Sequence, residues 1–231
     1  MFDSVRKQSA TALTAMSHDL ESIVCSNWHI GAVLLAAGAS RRMGLPKQSL
    51  PYGTTTLLRR AVEAALASVC HPVVVVLGTH SERITREIEG LPIIVVENLR
   101  CADGIGSSIS AGVGALCTAA PQAPAVVLML CDQPLVTSSV ISRIVEAHQR
   151  TRASIVASQY DGSLGVPALF THAHFPGLSE LNSNEGAKKM LQKHRQQVHP
   201  ISFPEAEIDI DTPQDYVRAQ LALAEPHFQN R

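Results

Sequence analysis

The sequence has few aromatic residues and no long apolar run, and each shortage excludes a class of protein. Aromatic residues make up 4% of the 231 residues, although 45% are hydrophobic. The core must therefore be built mostly from Ala, Val, Leu and Ile, which favours helices packed on parallel strands over an aromatic-rich β-sandwich. No apolar run approaches the roughly 20 residues that span a bilayer, so we expect no membrane partner.

Cysteine and basic charge are also scarce. The five cysteines are odd in number and form no CxxC pair, so we expect neither a disulfide framework nor a zinc site. The net charge is −1 at pH 7, and because no basic stripe is present we expect no nucleic-acid partner. The first residues lack the apolar core of a secretory signal, which predicts a cytoplasmic protein.

Short apolar segments alternate with helical patterns along most of the chain. Such strands, apolar throughout, are typical of a parallel sheet covered on both faces, so we predict an α/β, doubly wound, mostly parallel (Rossmann-like) fold. The predicted strands are 30–36, 73–77, 93–96, 125–130 and 154–158, and the predicted helices are 56–68, 81–89, 107–118 and 137–150.

The alternation loosens after residue 158. Asp161-Gly162 predicts a turn between 154–159 and 165–170, and so a small antiparallel excursion. Helices near 186–195 and 213–224 then flank a last strand at 198–202. We predict an N-terminal extension at 1–28, one domain at 29–225 and a C-terminal tail at 226–231.

A glycine-rich basic loop follows the first strand at residues 35–47. Because ligands of such folds bind beyond the carboxyl ends of the strands, the loops after residues 36, 78, 97 and 130 should share one rim. Gly38 can take positive φ, and successive N–H groups in such a turn form an anion-binding concavity. The Arg42 guanidinium can bind phosphate oxygens in a forked geometry, and the Lys47 ammonium can bind them as a point charge. These residues favour a triphosphate-binding loop over a solvent-exposed basic turn.

This loop reads LAAGASRRMGLPK and resembles the LAAGxSxRMGxxK motif of the molybdopterin-type nucleotidyltransferases, the molybdenum cofactor cytidylyltransferase (MocA/MobA-like) branch in particular. The resemblance covers about residues 30–222. It implies that a nucleoside triphosphate binds the loop, with Lys47 and Arg42 as catalytic residues. The loop residues implied in nucleotide binding are Leu35, Ala36, Ala37, Gly38, Ser40, Arg42 and Lys47.

Aspartates that could bind Mg²⁺ follow the fourth strand and precede the last helix. Asp132, in the run Cys-Asp-Gln-Pro, lies where a strand ends at the ligand rim, and Mg²⁺ usually takes one or two carboxylates plus substrate phosphates. In the family the aspartate of the DQP run is the magnesium ligand, so Asp132 is also a predicted catalytic residue. Asp209 and Asp211 are further candidates, although this segment could instead provide only an Asp or Thr cap for the helix; of the two aspartates, Asp211 is the better cap and Asp209 the better ligand.

A second glycine-rich stretch opens the helix after the third strand. Ser107 or Ser108 could cap that helix, and the resemblance places this stretch near the nucleobase, together with Gly78. The nucleobase candidates are thus Gly78, Gly104, Ser107 and Ser108. Where family members commonly carry G-D-x-G-A-R, residues 183–188 read SNEGAK. The lysine at the last position loses the forked phosphate contact of an arginine, so the sequence specifies the nucleotide more fully than the acceptor.

The predicted function is Mg²⁺-dependent transfer of CMP from CTP to the terminal phosphate of a molybdopterin-type cofactor, with a molybdenum hydroxylase as a potential receiver of the product. Three alternatives stay open. The enzyme could use GTP or another triphosphate on a different phosphorylated acceptor. It could be an NAD(P)-dependent oxidoreductase on the same fold, although GxGxxG is missing after the first strand. It could also carry the cofactor to a partner enzyme.

Overall fold

The computed structural model describes residues 29–40, 42–79, 81–160, 162–182, 185–203 and 209–224. The predicted N-terminal extension and C-terminal tail lie outside the described residues, as do Asp161 of the predicted turn and Ser183 and Asn184 of the SNEGAK run. Within the described residues, no helix combines the length and the apolar character needed to cross a membrane.

A seven-stranded sheet with the order β5-β4-β1-β6-β8-β7-β9 forms the centre of the molecule. Strand β8 runs antiparallel to both of its neighbours, and the other neighbouring pairs are parallel. This confirms the predicted mostly parallel α/β sheet with an antiparallel excursion. The strands are β1 Gly31–Ala36, β4 Val73–Leu77, β5 Ile94–Glu97, β6 Ala125–Leu130, β7 Ile155–Tyr160, β8 Ser163–Thr171 and β9 Val198–Ser202.

Helices cover both faces of the sheet because successive strand side chains point to opposite sides. Leu34 packs on one face with α1 and α4, whereas Val33 packs on the other with α3, α5 and α6. Both residues are fully buried, as a strand covered on two sides requires. The helices are α1 Leu57–Leu66, α2 Glu82–Thr85, α3 Ile105–Ala119, α4 Ser138–Thr151, α5 Phe175–Ser179, α6 Ala187–Lys193 and α7 Pro213–Ala224.

A small antiparallel hairpin, β2 (Pro51–Tyr52) and β3 (Thr55–Thr56), was not predicted from the sequence. Its Tyr52 is fully buried in a third core cluster with Leu57, Ile210 and Ala219. The Tyr52 hydroxyl donates a 3.1 Å hydrogen bond to the carbonyl of Ala219 in α7. The hairpin therefore anchors α7, and with it the acidic segment that precedes this helix.

The structure corrects the predicted cap of helix α3 and decides which residue caps helix α7. Helix α3 begins at Ile105, with Gly104 at φ 119° as its N-cap, so Ser107 and Ser108 lie inside the first turn and do not cap it. Helix α7 begins at Pro213. Thr212 and Asp215 form a reciprocal capping box there, in which the Thr212 N–H donates to Asp215 Oδ2 over 2.9 Å and the Asp215 N–H donates to Thr212 Oγ1 over 3.3 Å. Asp211 is consequently not the cap.

Candidate active site

A cavity of about 740 Å³ opens at the carboxyl ends of β1 and β6. The loops that follow β1, β4, β5 and β6 all contribute to it, so the structure places them on one rim as a doubly wound sheet requires. The lining residues are Leu35, Ala37, Gly38, Ala39, Ser40, Arg42, Lys47, Thr79, Cys101, Ala102, Gly104, Ile105, Ser108, Leu130, Cys131, Asp132, Asp209 and Asp211.

Lys47 lies at the centre of the charged half of this cavity. It opens a short 3-10 helix, Lys47–Ser49, after Pro46. Its Nζ contacts Asp132 Oδ2, and donates to Asp211 Oδ1 over 3.1 Å and to the carbonyl of Ile210 over 3.5 Å. Burial opposes the charge of Lys47, but the Asp132 carboxylate outweighs it and raises the pKa of Lys47 to about 12. Lys47 therefore carries a positive charge at neutral pH.

Asp132 and Asp209 come from distant parts of the chain but belong to one cluster. The Ile210 N–H donates a 3.0 Å hydrogen bond to the backbone carbonyl of Asp132, which holds the two acidic segments together. Burial is the main cause that raises the pKa of Asp209 to about 6, and the Asp132 charge adds to it. One oxygen of each carboxylate, Oδ1, is buried and has no hydrogen-bond partner among the described residues.

These two orphaned oxygens fit a divalent cation. No group of three or more His, Cys, Asp and Glu side chains in the described part of the chain could hold a metal ion by itself. Mg²⁺, however, usually takes one or two carboxylates and completes its shell with water and substrate phosphates. A buried carboxylate oxygen without a partner is costly, and a hard cation is the group that would satisfy it. The donor set therefore suits a metal that arrives with a phosphate ligand.

Arg42 and Asp211 form the outer edge of the site. An Arg42 Nη2 to Asp211 Oδ2 distance of 2.6 Å joins them, and the Arg42 side chain is 70% exposed. Asp211 thus bridges both basic residues, because its other oxygen accepts from Lys47. The two cations that the sequence predicted as phosphate ligands are held near each other by this carboxylate.

Most of the predicted nucleotide-binding residues line the cavity: Leu35, Ala37, Gly38, Ser40, Arg42, Lys47, Gly104 and Ser108. The predicted positive φ is found at Ser40 (φ 49°) and Gly44 (φ 75°), not at Gly38. The Ser40 hydroxyl accepts from the Lys47 N–H over 3.0 Å, which stabilises this uncommon conformation.

Ala36, Gly78 and Ser107 do not line the cavity. Gly78 serves close packing, since a Cβ there would lie 3.1 Å from the carbonyl oxygen of Ala37. The Ser107 hydroxyl is committed to the protein, because it donates to the carbonyl of Gly104 over 2.7 Å and accepts from Asn98 Nδ2 over 2.8 Å. The Ser107 hydroxyl is therefore held by hydrogen bonds within the protein.

Three residues that support the site were missed by the sequence analysis. Buried Gln48 donates to the carbonyls of Ala36 and Gly38. Buried Asn98 donates to the hydroxyl of Ser108 over 2.9 Å. Arg60 donates to the carbonyl of Pro134 over 2.7 Å. Gln48 had a local signal, since it directly follows Lys47. Asn98 lies 10 positions before Ser108 but in no pattern that predicts the contact, and Arg60 acts on a loop 74 positions away.

A second cavity, of about 620 Å³, lies at the other end of the sheet. Its titratable lining residues are His29 and His71, and neither a lysine or arginine nor a carboxylate lines it. It lacks the charges that phosphate chemistry requires, so the cavity around Lys47 is the candidate active site.

Comparison with known proteins agrees with this geometry. The model of one protein family, described as MobA-like NTP transferase domain, matches residues 32–198. The matched segment begins in β1 and ends at the first residue of β9, and so includes the glycine-rich loop and Asp132. It does not include Asp209 and Asp211.

Three curated proteins show what the chain is similar to. Nicotine blue oxidoreductase of Paenarthrobacter nicotinovorans is 34% identical over 63% of this chain and 68% of its own. Purine catabolism protein PucB of Bacillus subtilis is 29% identical over 83% of this chain and 96% of its own. Molybdenum cofactor cytidylyltransferase of Escherichia coli is 27% identical over 83% of this chain and 95% of its own.

Solved structures share the fold over most of the chain. The homologue of Rv0371c from Mycobacterium sp. strain JC1 has a TM-score of 0.70 at 30% identity and covers 84% of this chain and 96% of its own. Rv0371c of Mycobacterium tuberculosis, solved as a complex with manganese, has a TM-score of 0.68 at 29% identity and covers 84% of this chain and 98% of its own. A similar protein has thus been crystallised with manganese.

Proposed function

This chain belongs to the MobA-like NTP transferase family and is a nucleotidyltransferase, and from that premise we propose that it transfers CMP from CTP to the terminal phosphate of a molybdopterin-type cofactor. The released product is pyrophosphate. A molybdenum hydroxylase that receives the cytidine-bearing cofactor is the partner that this proposal implies.

One observation carries the proposal. Lys47 lies between Asp132 and Asp211 at the rim of the glycine-rich loop, in a cavity that Arg42 and Asp209 also line. Two cations and three carboxylates leave this cluster one negative charge in excess. A triphosphate alone would be repelled by the carboxylates, whereas a triphosphate with a divalent cation complements both signs of charge.

The chemistry follows from that arrangement. An oxygen of the acceptor phosphate forms a bond to the α-phosphorus of CTP, and the bond from this phosphorus to the bridging oxygen of the β-phosphate breaks. The electron pair leaves with pyrophosphate. Because the attacking phosphate is already ionised, no side chain has to remove a proton, and the protein contributes positioning and charge neutralisation.

In the proposal, Lys47 and Arg42 hold the triphosphate, with loop amides around Gly38. Asp132 and Asp209 hold Mg²⁺, which when bound neutralises negative charge on the phosphates. Asp211, which contacts both cations here, would release them to the phosphates. Ser108, rather than Ser107, faces the cavity beside Gly104 and is the better candidate for a nucleobase contact.

The choice of CTP and of a molybdopterin acceptor is supported by the Escherichia coli relative, whose name states that reaction and which matches over nearly its whole length. The DQP run at Asp132, which resembles the cytidylyltransferase branch, supports the same choice. GTP, or another phosphorylated acceptor, would use the same cluster.

The second candidate is an NAD(P)-dependent oxidoreductase, which the name of the Paenarthrobacter nicotinovorans relative favours. A dinucleotide also carries phosphates that the glycine-rich loop could bind. It does not, however, need two carboxylates with buried, unpartnered oxygens beside a lysine. The charged cluster around Lys47 therefore favours transfer from a triphosphate.

Thermal unfolding of the purified protein with CTP, GTP, ATP and NADPH, each with and without Mg²⁺ or Mn²⁺, separates these functions. A ligand at 100 times its Kd stabilises the folded state by roughly 2.7 kcal/mol. We expect stabilisation by CTP that requires the metal. A metal-independent shift with NADPH, and none with any triphosphate, would replace this proposal with the oxidoreductase.

A further inference from the structure

Gln48 has a polar side chain that is almost completely buried. It is 3% exposed and does not line the cavity. Its Nε2 donates to the carbonyl of Ala36 over 2.7 Å and to the carbonyl of Gly38 over 2.8 Å. Both hydrogens of one amide group are thus donated to two carbonyls near the start of the glycine-rich loop, which lie two residues apart.

These two hydrogen bonds determine the direction in which two backbone N–H groups of the loop point. A trans peptide is planar, and its N–H points opposite to its C=O. The two peptides bonded to Gln48 are trans, because the cis bonds among the described residues are His71-Pro72 and Val166-Pro167. With the carbonyls of Ala36 and Gly38 turned toward Gln48, the N–H groups of Ala37 and Ala39 point away from it. Ala37 and Ala39 line the cavity.

The same short helix controls the other side of the site. Lys47 and Gln48 are adjacent in the 3-10 helix Lys47–Ser49, yet Lys47 extends to Asp132 and Asp211 while Gln48 extends to the loop. The Lys47 N–H also donates to Ser40 Oγ, which closes the loop from its far end. The 3-10 helix therefore positions both the Lys47 ammonium group and, through Gln48, the backbone amides of the glycine-rich loop.

We propose that Gln48 is a positioning residue for the triphosphate: it turns the N–H groups of Ala37 and Ala39 toward the cavity, where they bind phosphate oxygens. This inference rests on the proposed function for the identity of the nucleotide, but the interaction itself is with a polyphosphate chain. Gln48 does not touch the ligand; its effect passes through the loop backbone.

The test compares Kd values of the full-length protein and of Gln48→Leu, which keeps the side-chain bulk and removes both donors. The probes are CTP with Mg²⁺, inorganic tripolyphosphate with Mg²⁺, and Mn²⁺ alone. We expect Gln48→Leu to weaken both polyphosphate ligands by roughly tenfold or more, since two hydrogen bonds that hold the amides are lost. Binding of Mn²⁺ alone should stay within about twofold, because the Asp132 and Asp209 segments are held by other contacts.

Gln220→Leu is the matched control. Gln220 Nε2 also donates to a main-chain carbonyl, that of Pro51, over 2.8 Å, but it does so at the hairpin and not at the loop. This variant should leave all three Kd values within about twofold of the parent. If Gln48→Leu instead weakens Mn²⁺ and CTP equally, or leaves CTP unchanged, the positioning role is wrong.

Backbone NMR of the unmutated protein provides a measurement that needs no variant. Adding tripolyphosphate should shift the amide signals of Ala37 and Ala39, and unmoved signals would overturn the inference even if the Gln48 variant fails to fold. Gln48-dependent binding of tripolyphosphate without binding of CTP would support Gln48 while rejecting the proposed nucleotide. Binding of neither ligand to the parent protein would reject both.

Discussion

Lys47 lies between the carboxylates that could hold a metal and the space proposed for the triphosphate. Its replacement should therefore weaken the binding of CTP and strengthen the binding of Mn²⁺. Lys47→Met removes the ammonium that faces the triphosphate, so turnover should fall on the order of 100-fold, with a higher KM for CTP. Mn²⁺ alone should bind more tightly, because the carboxylates of Asp132 and Asp211 lose a competing cation. Steady-state kinetics and Mn²⁺ titration measure both effects.

Lys47→Arg serves as the control for this substitution. It keeps the charge but replaces a compact ammonium with a planar fork, so it should restore part of the CTP affinity. Kinetics of Lys47→Met that equal those of the parent would remove Lys47 from the site.

The protonation of Asp209 predicts a pH dependence of metal binding. Because burial raises the pKa of Asp209 to about 6, a proton occupies this carboxylate at lower pH and has to leave when a cation binds. We expect the apparent affinity for Mn²⁺ to be constant above about pH 7 and to weaken as the pH falls through 6, by up to about tenfold per pH unit. Titration of Mn²⁺ between pH 5 and 8 checks this.

In the metal-free protein, the contribution of Asp209 to the free energy of unfolding should depend on pH in the opposite direction, falling as the pH rises. The pKa of Asp209 is raised from 3.8 to about 6 on folding, so the folded state holds a proton that the unfolded chain releases. The free energy of unfolding contributed by this group is therefore present below pH 3.8 and is lost as the pH rises through 6. Asp209→Asn should remove both dependences. If it leaves the Mn²⁺ profile unchanged, another group is responsible.

At the scale of the elements, helix α3 packs closely against the sheet at Gly112. A Cβ at Gly112 would clash with Val33 and lie 2.8 Å from Cγ2 of Val76, and both valines have stiff side chains. Gly112→Ala should therefore destabilise the protein by about 1–3 kcal/mol, although alanine is the better helix former. Chemical denaturation measures the change.

Gly114, in the same helix, provides the control. Nothing lies within 4 Å of a Cβ at Gly114, so Gly114→Ala should stabilise by up to about 1 kcal/mol through helix propensity alone. If both substitutions change the stability in the same direction, α3 does not pack on β1 and β4 as described.

The bounds of the strands and helices also show which sequence patterns were sufficient to predict them. The predicted strands at 73–77, 125–130 and 198–202 have the bounds that the structure gives to β4, β6 and β9. The first two are continuous apolar runs with clear ends. The hairpin β2–β3 was missed because strands of two residues are too short to show a period. The capping prediction for Ser107 and Ser108 failed because Gly104, at φ 119°, starts α3 earlier.

At the scale of the molecule, the described fold contains its own core. Its three hydrophobic clusters consist of residues between Ile30 and Ala219, with Leu223 packed against the third. A chain that begins at residue 29 should therefore fold, melt within a few degrees of the full-length protein and keep its turnover. Thermal unfolding and a CTP transfer assay test this. An insoluble or inactive product would show that residues 1–28 belong to the domain.

The sequence by itself determined the family, the parallel sheet and the chemical groups at the rim. It could do so because an apolar strand, a glycine-rich turn and a basic residue are adjacent in the chain, and because the ends of parallel strands meet at one edge. Leu35, Gly38, Lys47 and Asp132 were predictable in this way, and all four line the cavity.

Only the tertiary structure decided how these groups are held. The pairing of Lys47 with Asp211 spans 164 positions, and the bond from Ile210 to Asp132 depends on the anchoring of α7 by Tyr52. It also decided that Ser107 is committed to Asn98 and that Gln48 orients the loop. The first two contacts join distant parts of the chain, whereas those of Ser107 and Gln48 span 9 and 12 positions. In every case the direction of the contacting groups depends on packing, which leaves no local sequence pattern.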